Sequence, residues 1–115
     1  MFTIWGDILF DKPAVLCSST SVYVRVLDFS LADAPAKIIV EKKLLNPTLK
    51  KEPVDRTLYS LQCPKLDKSR MYTMDVHVDI TGDGDVSKGD YITMESYPVK
   101  SDSDIRIDLK VRSIK

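Results

Sequence analysis

Tyr72-Thr73-Met74-Asp75-Val76-His77-Val78-Asp79 alternates apolar and polar residues without a break. Successive side chains of a strand point to opposite faces. Tyr72, Met74, Val76 and Val78 therefore share one face, and Thr73, Asp75, His77 and Asp79 share the other. The same period recurs in Ile105-Ile107-Leu109-Val111, set against Arg106, Asp108, Lys110 and Arg112. It appears again in Val22-Val24-Val26, with Tyr23 and Arg25 opposite.

Residues 2–10, 37–44, 56–62 and 91–97 are further strand candidates, rich in β-branched and aromatic residues. Pro13, Pro35, Pro47, Pro53 and Pro64 separate these runs, as residues that cannot donate to a central ladder should. The one helix-like stretch, residues 30–36, is stopped by Pro35 after a single turn. About seven short strands predict an all-β fold: an antiparallel β-sandwich of the immunoglobulin or transthyretin type, with a closed barrel as the alternative.

The 115 residues suit one domain, residues 1–115, with a single core. Lys plus Arg and Asp plus Glu number 17 each, so no global field recruits nucleic acid or anionic lipid. No apolar run is long enough for a spanning helix, so no membrane insertion is expected. Met1 to Asp7 shows neither a basic nor an apolar leader region. The expected location is the cytoplasm if the chain is complete as written, and outside the cell or in the envelope if a signal peptide was removed. Asn46-Pro47-Thr48 is barred as a glycosylation acceptor by its proline. Cys17 and Cys63 are expected as free thiols at opposite ends of an up-and-down sheet rather than as a disulfide.

The sharpest chemical pattern follows the opening strand. Residues 79–90 read Asp-Ile-Thr-Gly-Asp-Gly-Asp-Val-Ser-Lys-Gly-Asp. In a calcium-binding loop, oxygen-bearing side chains fall at positions one, three, five, nine and twelve, with glycine at six and a backbone carbonyl at seven. Asp79, Thr81, Asp83, Ser87 and Asp90 take the side-chain positions, Gly84 takes the turn and Asp85 offers its carbonyl. Four carboxylates so close together favour a cation as companion. Asp90 stands where a bidentate glutamate is usual, and the flanks are strands, so the pattern is a calcium loop in a hairpin rather than an EF-hand. The alternative is a plain acidic hairpin turn, which the same residue types favour.

Other residues carry less. His77 is the lone histidine and is expected on the exposed polar face, without catalytic partners. Asp28 and Asp33 read as turn or capping groups, and Lys42-Lys43 and Lys50-Lys51 as solvated surface. Trp5 and Tyr23 are candidates for a partner surface, Trp5 equally for the core. With no nucleophile, base and oxyanion donors in an interpretable arrangement, the chain is expected not to be an enzyme.

Val24-Arg-Val26-Leu-Asp28-Phe-Ser30-Leu-Ala-Asp33-Ala-Pro-Ala36 resembles the V-x-L-x-D-x-S-x-A-D-A-P-A stretch of the YbaY/YscW-like lipoprotein family, which includes the pilotins of type III secretion. The preceding Gly6 strand, the Pro13-Ala14 pair and the Tyr72–Val78 strand also sit in similar order. The resemblance implies a small β-sandwich in the cell envelope without enzymatic activity and, for pilotins, binding of a secretin subunit. The family's lipobox is missing here: Cys17 follows Ala14-Val15-Leu16. The leading expectation is a calcium-binding β-sandwich whose ion pins the 79–90 loop. A pilotin-like or adhesive interaction module, and a carrier of a small apolar ligand, are the alternatives.

Overall fold

The computed structural model describes every residue except Ala32, Asn46 and Ser101. Ala32 of the resemblance stretch and the Asn46 of the barred acceptor site thus lie outside the described residues. The strands are β1 (Phe2–Phe10), β2 (Ser21–Asp28), β3 (Lys37–Leu45), β4 (Arg56–Cys63), β5 (Tyr72–Asp79), β6 (Tyr91–Thr93), β7 (Ile105–Arg106) and β8 (Leu109–Ser113). Among the described residues no helix is long and apolar enough to cross a membrane.

The all-β expectation holds, but the two-sheet sandwich does not. All strands join one sheet in the order β3-β2-β5-β6-β8-β1-β4, with β7 beside β1. The sheet curls into a nearly closed barrel. Nor is it wholly antiparallel: β1 pairs in parallel with β7 and with β8. Alternation marks which side of a strand is buried. Two stacked sheets and one curled sheet both bury one side, and neither choice nor strand direction leaves a trace in the period.

The inward positions are those the pattern marked. Ile4 and Ile8 of β1, Val22, Val24 and Val26 of β2, Met74, Val76 and Val78 of β5, and Leu109 and Val111 of β8 are all buried. Each such side chain contributes roughly 1.5–3 kcal/mol by leaving water, so the interior rather than any loop decides the fold.

Two candidate strands are shorter than expected. The 91–97 run ends at Thr93, because Met94-Glu95-Ser96 bow away from β5 before the chain returns. On its return the Met74 N–H donates to the Tyr97 carbonyl at 3.0 Å, and the Val99 N–H to the Tyr72 carbonyl at 3.0 Å. The 105–112 run breaks at Ile107 and Asp108, where the Asp108 side chain takes the place of a ladder carbonyl and accepts the Asp7 N–H at 2.9 Å.

That break explains Gly6. It sits mid-β1 with φ of +156°, opposite Tyr59 of β4, and a Cβ there would strike the Ile107 carbonyl. The buried Tyr59 reaches over the glycine and donates its hydroxyl to the same carbonyl. Burial pushes the Tyr59 phenol well above its ordinary range, so it stays a donor at every working pH. Tyr59→Phe removes that donor and leaves the carbonyl short of a partner. The expected loss is about 1–2 kcal/mol in urea unfolding, with the slope unchanged. An unaltered midpoint would show that the bond contributes nothing.

Candidate functional site

The 79–90 loop is built from its two end carboxylates inward. Asp79 is fully buried, and its oxygens accept the Gly82 N–H at 3.0 Å and the Gly84 N–H at 2.7 Å. Gly82, at φ +73°, lies so close to the Ser19 carbonyl that no side chain fits. The Ile80 carbonyl receives the Thr20 hydroxyl and the Cys17 thiol, each at 2.9 Å. The loop is thereby fastened to the 17–20 turn.

Asp90 closes the other end. One oxygen accepts the Ile80 N–H at 3.0 Å, and the other lies 2.9 Å from His77 Nε2 and 3.2 Å from the Ser87 amide nitrogen. An ionised carboxylate only accepts, so His77 Nε2 carries the proton and donates it. Burial pushes the Asp90 carboxyl up, but the bonds from His77, Ile80 and Ser87 outweigh it and hold the group below its usual range.

His77 is therefore not the exposed residue its polar-face position suggested. It is 4% exposed, covered by the returning loop and by Tyr23, whose ring stacks on it at 5.8 Å. Alternation gives the face of a strand. It does not say that a following loop will fold back over that face.

The six loop residues marked as calcium ligands part company. Asp79 and Asp90 converge with His77, their ligating atoms all within 4.8 Å of one another. Thr81, Asp83 and Asp85 are exposed, and Ser87 is half-buried. Asp83 accepts the Asp85 N–H at 3.0 Å, a turn contact. The signal that would have found His77 is its place two residues before Asp79, on the same strand face.

Trp5 and Tyr23 both lie on the outer face. Trp5 is 39% exposed, with the Arg106 guanidinium 4.9 Å from its ring centre. Tyr23 is half-buried, with Lys43 Nζ 5.4 Å from its ring centre. Each stands one strand in from an edge of the sheet, Trp5 beside β4 and Tyr23 beside β3.

Those edges face each other. Among the described residues β3 and β4 form no ladder together, and a groove of about 630 Å³ runs between them, lined from both. One end is narrowed by the Lys50–Arg56 bridge, whose two backbone bonds measure 2.7 and 2.8 Å.

The remaining candidates are local. Asp28 accepts the Ser30 hydroxyl at 2.6 Å and its N–H at 2.9 Å, and Arg70 pairs with it. The Ser30 bonds first, then Arg70, hold its carboxyl down at about 2. Cys17 and Cys63 are both free, the first exposed and the second buried. Hydrogen bonds from Ser19 and Thr20 bring the Cys17 thiol down to about 7.

No family model and no curated protein match this chain. Its fold is similar to that of an alternative pilotin from the type II secretion system of Vibrio cholerae, at a TM-score of 0.70 and 21% identity. The likeness covers 98% of this chain and 96% of that one. The likeness is one of fold: a nearly closed, barrel-like sheet of mixed strands.

Proposed function

We infer that this chain is a non-enzymatic, pilotin-like protein-interaction module, with a secretin-type subunit as its partner. The observation that carries the reading is the pair of unpaired strand edges left facing each other in an otherwise continuous sheet. Exposed edges invite pairing with another chain, so one kept beside a groove reads as a docking place. The whole-length likeness to a pilotin supports it. So do Trp5 and Tyr23, aromatic residues flanking the groove on either side. The interior weighs against an apolar-ligand carrier, because Tyr59, Met74, Ile4, Ile8 and Leu109 fill it.

The test is calorimetric titration of the chain with segments of the secretin encoded in the same genome. Binding with Kd on the order of 10⁻⁶ M is expected. Trp5→Ala and Tyr23→Ala should each weaken it about tenfold, whereas Asp83→Ala should leave it unchanged. No heat at millimolar segment would end the reading.

A second reading, a calcium site, keeps one specific support: the convergence of Asp79, Asp90 and His77. The donor set fits poorly. Both Asp79 oxygens and both Asp90 oxygens already accept hydrogen bonds, which relieve their mutual repulsion without an ion. A melting temperature that rises in millimolar calcium would favour this second reading, and one indifferent to calcium and chelator the first.

A further inference from the structure

We propose that the seam between β3 and β4 is a strand-acceptor site for an extended, acidic segment of a partner protein, which completes the sheet. The proposal rests on the interaction-module reading and fixes the chemistry of its occupant. Backbone geometry comes first. β3 is laddered only to β2 and β4 only to β1, so beyond the Lys50–Arg56 bridge each presents an unpaired edge to the seam. Tracing the pairings round the sheet, β3 and β4 run in opposite directions. A single added strand therefore pairs parallel with one edge and antiparallel with the other.

Charge then selects the occupant. Lys42 stands opposite Val24, and Val24 is fully buried, so Lys42 holds an inner-face position at the rim of the barrel. Lys43, the next residue, lies on the outer face against Tyr23. Lys50 lines the same groove. Among the described residues none of these lysines has an ion pair, whereas Glu41, the acid of β3, is already held by Arg25 at 2.9 Å. The edge thus offers an ammonium to either face of an incoming strand. Leu44 and Leu58 supply apolar contact beside them. A second copy of this chain is a poor occupant, since it would set the same lysines against one another.

The probes are a capped octapeptide of alternating glutamate and valine, its lysine–valine counterpart, and a glutamate–valine version with alternate amides N-methylated. Backbone amide exchange of the chain is followed by NMR. The glutamate–valine peptide should slow exchange along β3 and β4, and the other two should bind at least about tenfold more weakly. The double variant Lys42→Glu, Lys43→Glu, checked for a native spectrum, should reverse the preference between the two charges. Equal binding of both charges, or protection elsewhere than β3 and β4, would overturn the proposal. So would protection of these edges by self-association, or by phosphatidylglycerol vesicles and not by the peptide. Secretin-segment binding that leaves both edges unprotected sinks the acceptor site but not the interaction reading. Peptide binding at the seam without any secretin binding does the reverse.

Discussion

Gly6→Val should remove about 3–5 kcal/mol of folding stability. Two costs combine. The backbone there has φ of +156°, which L side chains rarely adopt, and strain of that kind costs on the order of 1–3 kcal/mol. The new Cβ also meets the Ile107 carbonyl, with Asp108 Oδ1 at 2.8 Å, where the break between β7 and β8 allows no retreat. Forcing atoms into a packed site costs a further 1–3 kcal/mol or so. For a domain of this size the melting temperature should fall by about 15 °C or more. Ile8→Val, on the same strand and face, should cost only about 0.5–1.5 kcal/mol. A Gly6→Val chain melting within a few degrees of the parent would show that β1 and the Ile107 carbonyl do not approach as described.

Asp90→Ala should cost a similar 3–5 kcal/mol, for an electrostatic reason. The side chain is fully buried and accepts from the Ile80 and Ser87 amides and from His77. Alanine leaves those donors buried without an acceptor, and each orphan costs roughly 1–3 kcal/mol. The same carboxylate sets a pH dependence. Its folded pKa lies below its unfolded value, so the unfolded chain binds more protons in the window between them. The stabilisation is complete above about pH 4 and is lost as pH falls through the folded value. Asp28, held at about 2, adds to the loss in the same direction and window. The parent chain should therefore unfold steeply below about pH 4, and Asp90→Ala should be weaker at neutral pH with a shallower acid limb. Equal acid limbs would mean that Asp90 is not the group being titrated.

These two residues also mark what the sequence could and could not tell. The alternation at 72–79 and at 105–111 identified the strands and their inward faces, because period two is a direct consequence of the pleat. It could not reveal that β1 and β8 run parallel or that one sheet curls where two were expected. Those depend on which distant edges meet, and the deciding contact is between Gly6 and Ile107, about a hundred residues apart.

The site was half legible. The spacing of Asp79 and Asp90 predicts ligands of an ion, and in the structure backbone amides meet the same oxygens. Turn-forming aspartates and calcium-ligating aspartates share a spacing, since both must aim oxygens into a tight loop. The polar face of its strand predicts an exposed His77. The covering loop was visible only in three dimensions. Nothing in the sequence links Trp5 to Tyr23; the sheet order puts each one strand in from the open seam.

The most direct measurement for the interaction reading is NMR shift mapping of the chain with the secretin segments. Perturbations should concentrate on β3, β4, Trp5 and Tyr23, with the 79–90 loop unmoved. Perturbations centred on that loop, or none at saturating segment, would contradict it.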